Sequence, residues 1–354
     1  MKKFFSITLA LCFGTLLSFL VLEVFLRVFD PFPTTVRGDK IVLKKNDKKI
    51  LKVNHPKLAP EIVVTTNNQG FRGEDYPTDP ENRIKIFTVG GSTTLSLYNS
   101  DGKTWSDLLA ADLKKANPKI WLNNAGLSGH STKGHLILLK DLLMSLKPDY
   151  VIFLVGINDV GRAIEDKEDS VLEEMLFKSE VISLAVNIVR NFQSKKLNLS
   201  YDLKWDPKTT PTLELSGMEI SKSMMMHSKT FLPYYRRRLE ALIDFCKKNK
   251  IKPILMTQPL VYGDLNDPTT GVNLGKLKVG DQNSLQIWLV LEMYNDITRV
   301  LARKERIPLV DLAQKMPKDT LYYYDYMHYT DLGSEKLAKI ISEELTSYFK
   351  NPIH

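Results

Sequence analysis

"IKIFTVGGSTT", residues Ile84 to Thr94, is an apolar, β-branched run that stops on two glycines and a serine. Such a continuous run reads as a strand buried on both faces, and Gly90 and Gly91 mark the turn out of it. Downstream, WSDLLAADLKKA has helical spacing, and the alternation then repeats. IWLNNA precedes GHLILLKDLLMSL, and YVIFLV follows. After a long interval come YYRRRLEALIDFCKKN, IKPILMT, IWLVLEMYNDITRVLARKE, IPLVDL and EKLAKIISEELTSYF. Apolar strands alternating with amphipathic helices imply a parallel sheet covered on both faces. The expectation is an α/β fold: a flavodoxin-like three-layer αβα sandwich with a five-stranded parallel sheet. In such a sheet, ligands bind at the carboxyl ends of the strands.

Two intervals break the rhythm. Residues 30–80 run from PFPTT through the lysine-rich KIVLKKNDKKILK to HPKLAPE, and read as a juxtamembrane linker with edge strands in IVL and EIVVTTN. Residues 164–229 are polar, hold KWDPKTTPT and the methionine run at Ser223–Met226, and read as an insertion with helix in VISLAVNIVRNF. This insertion is either a wall of the substrate site or a surface excursion. A third long segment, 258–285, reads as a loop. The organisation expected is therefore an anchor over 1–29, the linker over 30–80 and the globular domain over 81–350 with its insertion at 164–229.

The 354 residues are 43% hydrophobic and 25% charged, which is ordinary for a chain that buries a large core. The formal net charge is +8, yet lysine and arginine are scattered, and no helix-turn-helix, zinc-finger or RNA-recognition signature accompanies them. A solvated basic surface is expected, with no nucleic-acid partner. The two cysteines, Cys12 and Cys246, have no metal-ligand spacing and are not expected to pair, so neither a metal nor a cofactor is implied.

After Lys2 and Lys3 the chain is uncharged from Phe4 to Leu22, nineteen residues, which as a helix crosses a bilayer core of ~30 Å. Glu23 and Arg27 lie four apart and can pair near the interface. No A-x-A-like site follows, which argues against a cleaved signal peptide. Leu11 stands where a lipoprotein signal at Cys12 would need a small residue. The expectation is a single-pass anchor in the cytoplasmic membrane with the globular domain on the extracytoplasmic side. Arg37, Lys40, Lys44 and Lys45 beyond the span keep the charge asymmetry from being one-sided.

Each strand end carries unusual residues. The first presents Gly90-Gly91-Ser92-Thr93-Thr94. Thr94 stands where a G-x-S-x-G elbow would close, and there is no G-K-[ST] ending of a phosphate loop. The second presents NNAGLSGHS, where Gly126 or Gly129 can offer a backbone N–H to an oxyanion. The third presents VGINDV, with Asn158 able to send its amide into the same crevice; His130 and Asp159 are rival candidates by position. Near the C-terminus, Asp325 precedes His328 by three residues, ahead of a helix that Thr330 or Asp331 can cap. A nucleophilic serine needs a base, and the base a carboxylate, so Ser92, His328 and Asp325 are the candidate set.

In this order the four blocks resemble the SGNH (GDSL-type) hydrolase superfamily, over roughly residues 67–348. The blocks are Gly90-Gly91-Ser92, Asn124-Ala125-Gly126-Leu127-Ser128-Gly129, Gly156-Ile157-Asn158-Asp159 and Asp325-Tyr326-Met327-His328. The upstream NNQGFRGEDYP is similar to the N-x-x-G-F-R-G entry of membrane-anchored bacterial members. Gly91 departs from the aspartate usual before the serine. The resemblance implies the SGNH fold and assigns Ser92 as nucleophile, His328 as base and then acid, and Asp325 as its orienter. It also implies an oxyanion hole of the Ser92 N–H, the Gly129 N–H and the Asn158 amide. The implied activity is a serine esterase working through an acyl-enzyme, on O-acyl esters of envelope or exported carbohydrate. An O-acyltransferase on the same substrates, or a non-catalytic glycan-binding protein of the same fold, are the competing expectations.

Overall fold

The computed structural model describes residues 2–29, 36–37, 40–163, 179–196 and 201–350. Residues 164–178 and 197–200 of the expected insertion, and 30–35 with 38–39 of the linker, lie outside the described residues. The chain divides into two compact units, Met1–Leu43 with Lys167–Leu199 and Lys44–Asp166 with Ser200–His354.

In the first unit, helix α1 spans Lys2–Phe29. Its stretch Phe4–Phe29 contains an 18-residue window of mean hydropathy 2.3 and is, among the described residues, the one helix long and apolar enough to cross a membrane. Glu23 and Arg27 form the ion pair expected from their spacing, at 2.7 Å. Val36–Arg37 pairs antiparallel with Lys40–Ile41.

The second unit opens with a hairpin, β1 Lys48–Lys52 against β2 Glu61–Thr65. EIVVT alternates, so β2 buries Ile62 and Val64 on one face. Its partner comes from the lysine-rich patch, where KKILK has no buried residue and pairs through its backbone.

The sheet consists of β3 Ile84–Gly90, β4 Ile120–Asn124, β5 Tyr150–Leu154, β6 Lys252–Met256 and β7 Leu309–Val310. Their spatial order is β7-β6-β5-β3-β4, and every pairing is parallel. This is the doubly wound order expected from the alternation. Every residue of β4 and β5 is buried, as is β3 beyond Ile84, because helices cover both faces. Each fully buried side chain such as Phe87, Val89 or Ile152 contributes about 1.5–3 kcal/mol relative to exposure.

The helices follow their periodic signals. Trp105–Ala116 (α2) is capped by Thr104, which accepts from Asp107 N at 3.1 Å. Next come Thr132–Asp141 (α3), Glu180–Lys196 (α4, in the first unit) and Gly217–Thr230 (α5). The methionine run lies on α5, which starts with a Ser216/Glu219 capping box. Leu232–Lys248 (α6) buries Leu232, Tyr235, Leu239, Leu242 and Cys246, a stripe at three-and-four spacing. Ser284–Glu305 (α7) and Asp331–Lys350 (α8) complete the set. Strand order reverses between β4 and β5 around β3, so the first strand ends at the switch point where such sheets take ligands.

Candidate active site

Ser92 begins a single helical turn, Ser92–Leu95, directly after β3. As the first residue of that turn, its N–H has no acceptor within the helix and faces out of the turn's amino end. The carbonyls at the other end are each held by a buried side chain. Trp105 Nε1 donates to Thr93 O (2.9 Å), Asn124 Nδ2 to Thr94 O (2.7 Å), and Arg72 Nη1 to Leu95 O (3.0 Å) and Ser96 O (2.7 Å). Arg72 Nη2 continues to Asn99 O (2.8 Å) and the Asp101 carboxylate (2.9 Å). The turn that presents Ser92 is therefore tied down from three directions.

His328 arrives from the loop before α8. Its Nε2 lies 2.8 Å from Ser92 Oγ and its Nδ1 2.7 Å from Asp325 Oδ2. A carboxylate only accepts, so the ring proton sits on Nδ1 and Nε2 is left to accept from the serine hydroxyl. Asp325 is fully buried and its lone pairs are filled. Oδ1 accepts from Met327 N (2.9 Å) and His328 N (2.8 Å), and Oδ2 also accepts from Asp202 N (3.2 Å). The helix that follows is capped by Thr330, whose Oγ1 accepts from Gly333 N at 3.1 Å, which leaves Asp325 to the histidine.

The two glycines of the second block behave differently. Gly126 N donates to Asn124 Oδ1 at 2.9 Å, and a Cβ built there would lie 2.3 Å from Leu95 N. Its N–H is therefore occupied, and its role is close packing against the Ser92 turn. Gly129 has φ +75° with open space beyond its Cα, a conformation that suits glycine. Asn158 Nδ2 donates to His130 O at 3.0 Å and keeps a second hydrogen for another acceptor. A Cβ on Gly91 would stand 2.1 Å from that same nitrogen. In this geometry, Gly91 leaves the room that the Asn158 amide occupies.

The rival candidates have other partners. Asp159 is buried in an ion pair with Arg238 (2.9 Å) and accepts from Thr132 Oγ1 (2.6 Å) and Thr132 N (3.1 Å) at the start of α3. Burial pushes its carboxyl upward, against the pull of Arg238 and Thr132. His130 contributes its carbonyl to Asn158 and stacks near His135, with ring centroids 6.4 Å apart.

Sequence reasoning missed the aromatic surroundings. Tyr201, from the expected insertion, lies against the His328 ring (centroids 4.5 Å), and its hydroxyl accepts from Ser128 Oγ at 3.4 Å. Tyr324 stacks on the same imidazole (5.6 Å, 9°), and Tyr98 meets both tyrosines edge-on. Burial pushes the Tyr201 and Tyr324 hydroxyls up, so both stay protonated. No periodic pattern announces Tyr201. Arg72 was visible within NNQGFRG, but its grip on the serine turn was not. Among the described residues, no group of three or more His, Cys, Asp and Glu side chains is arranged to hold a metal ion.

Several solved structures resemble the chain. The acetyl xylan esterase AlAXEase is 18% identical, with a TM-score of 0.43 over 73% of this chain and 98% of its own. An acetylxylan esterase from Geobacillus stearothermophilus is 17% identical, with a TM-score of 0.44 over 74% of this chain and 94% of its own. An alpha/beta hydrolase enzyme from the metagenome of Lake Arreo, Spain, is 18% identical, with a TM-score of 0.43 over 75% and 95%. No curated protein sequence matches the chain. The model of the GDSL-like lipase/acylhydrolase family matches residues 87–336, from within β3 to the start of α8, and the chain belongs to that family.

Proposed function

We propose that the protein is a serine esterase that cleaves O-acyl esters of carbohydrate through an acyl-enzyme. The observation that carries this reading is the buried hydrogen-bonded chain from Ser92 Oγ through His328 to Asp325, at 2.8 and 2.7 Å. In the reaction, the Ser92 oxygen bonds to the ester carbonyl carbon while its proton passes to His328 Nε2. Asp325 Oδ2 accepts from Nδ1–H and stabilises the imidazolium. The negative charge on the carbonyl oxygen is taken up by the Ser92 N–H, the Gly129 N–H and the Asn158 amide. Preorganised donors of this kind are worth about 3 kcal/mol each. Collapse breaks the bond to the sugar oxygen, which leaves with the proton from Nε2. Water, deprotonated by the same nitrogen, then attacks the acyl-enzyme, releases the acid and restores Ser92.

Carbohydrate is assigned because the partly exposed rings of Tyr98 and Tyr201 lie beside the histidine, surfaces against which the apolar face of a sugar ring packs. Transfer to an acceptor alcohol is the second reading. It draws on the burial of Ser92 and His328 (3% and 2% exposed), which keeps water scarce around an acyl-enzyme. The organisation that goes with this function is an anchor over 1–29, a juxtamembrane segment over 30–80, and a hydrolase domain over 81–350 outside the cytoplasmic membrane, with Lys167–Leu199 of its insertion grouped with the anchor instead.

A fluorophosphonate probe is expected to label the full-length protein at Ser92 and to leave Ser92→Ala unlabelled. Aryl acetate hydrolysis is expected to vanish with Ser92→Ala and with His328→Ala. Labelling at another residue, or hydrolysis unchanged in both variants, would refute the assignment. Products formed with and without an added acetylated oligosaccharide and an acceptor sugar separate hydrolysis from transfer.

A further inference from the structure

Helix α4 carries an apolar stripe on its outer side. Ala185, Ile188, Val189 and Phe192 are all exposed, the last three at 49%, 55% and 69%. Spaced three, one and three residues apart, they fall on one stripe of the helix. The covered side is mixed: Ser183, 3% exposed, and the partly covered Ile182, Leu184, Val186 and Asn187. In water, a helix of a folded unit does the reverse and turns such a stripe to the core. A helix that shows its apolar stripe to the outside is suited to surroundings that are themselves apolar.

The position of α4 is set by Glu23 of α1. Its carboxylate accepts from Ser179 Oγ (2.8 Å), Glu180 N (3.0 Å) and Val181 N (3.1 Å), so it caps the amino end of α4 while pairing with Arg27. Glu23 is the first charged residue after the uncharged run Phe4–Leu22, nineteen residues that rise ~28 Å as a helix. That length matches a hydrocarbon core of ~30 Å. Glu23 therefore stands where the hydrocarbon ends, and the first turn of α4 is held at that same depth. The apolar part of α4, Glu180–Val189, is only ten residues, ~15 Å, and is too short to span.

We propose that α4 is a second membrane contact, an interfacial helix lying beside the anchor with Ala185, Ile188, Val189 and Phe192 in the acyl-chain boundary of one leaflet. The occupant of the stripe is lipid, because the adjoining α1 is apolar and exposed from Phe4 to Leu22 in the same unit and Glu23 fixes both helices to one depth. The inference rests on α1 being inserted in the bilayer. It gives the chain a two-point attachment, which restrains rotation of the anchor in a way that a single helix does not.

The test uses the full-length chain in lipid nanodiscs, with Cys12→Ala to clear the exposed native thiol; Cys246 is buried. An environment-sensitive fluorophore is placed at Ile188→Cys, Phe192→Cys or, as a reference in the anchor, Leu16→Cys. Blue-shifted emission at positions 188 and 192, with quenching by lipids spin-labelled near the glycerol, supports the proposal. Water-like emission at both positions, with position 16 quenched by deep spin labels, overturns it and leaves the anchor standing. Water-like emission at all three sites overturns the proposal and the anchor together. Blue-shifted emission at 188 and 192 that lipid labels do not quench, and that grows with the number of chains per disc, overturns it in favour of a second copy.

Discussion

His328 Nε2 lies 2.8 Å from Ser92 Oγ although 236 positions separate the two residues in the chain. The sheet makes this contact, since the serine follows β3 and the histidine comes from a loop at the same carboxyl ends of the strands. Ser92→Ala or His328→Ala should lower kcat for ester hydrolysis by about 10⁶-fold, and the double variant should be hardly worse, as expected of groups that act as a unit. Asp325→Asn should cost about 10⁴-fold, because the amide presents the wrong partner to Nδ1. Steady-state kinetics with an aryl acetate, alongside thermal melts, checks that folding is retained.

Asn158→Ala should reduce kcat by about 10²–10³-fold with little change in KM, as loss of a donor that acts when charge develops on the oxygen. Asn158 also holds His130 O, so a small drop in Tm is expected too. A rise in KM with kcat intact would instead make Asn158 a ground-state binding residue.

The strands and the four strand-end blocks were legible because buried parallel strands are written as unbroken apolar runs, and the turn residues after them break those runs with glycine, serine and asparagine. The partner of EIVVT was not legible: KKILK buries nothing and pairs through backbone groups that every sequence has. α5 was within reach, since Ser216 and Glu219 form the S-x-x-E signature of a helix start. Tyr201 was not, because its place against His328 depends on the path of a polar excursion with no period of its own.

Arg72 ties the nucleophile's turn to the loop beyond it. Its two terminal nitrogens serve the carbonyls of Leu95, Ser96 and Asn99 and the carboxylate of Asp101 together, a geometry that a single ammonium cannot reproduce. Arg72→Met should destabilise the domain by about 3 kcal/mol or more, since buried carbonyls are left without donors. Arg72→Lys should keep part of that stability yet lower kcat, because the Ser92 turn loses its brace. Chemical denaturation and kcat measured on both variants separate the two effects.

Tyr201 bridges the imidazole and the glycine loop, with its ring on His328 and its hydroxyl on Ser128. Tyr201→Phe removes only the long hydrogen bond and should change kcat/KM little. Tyr201→Ala removes the ring contact and should lower kcat/KM by about 10-fold at most. It should also raise the ratio of hydrolysis to acyl transfer by admitting water to the acyl-enzyme. Partition of product between free acid and transferred ester, measured at a fixed acceptor concentration, reads this directly.

His135 sits in α3, 1% exposed, and burial lowers its pKa from 6.5 to about 3, with the charge of His130 adding to the effect. Above pH 6.5 the ring is neutral in both folded and unfolded chains and contributes no pH dependence. As pH falls below 6.5 the unfolded chain takes up a proton that the folded chain refuses until about pH 3. The unfolded state binds more protons throughout that window, so stability falls with falling pH, by about 1.4 kcal/mol per unit from this one group. His135→Gln should abolish that contribution: the loss of stability between pH 7 and pH 4.5 should shrink relative to wild type, while the two proteins keep the same difference in unfolding free energy above pH 7. Denaturant melts of both proteins across this range test it, and parallel losses down to pH 4.5 would show that the ring is already charged in the fold.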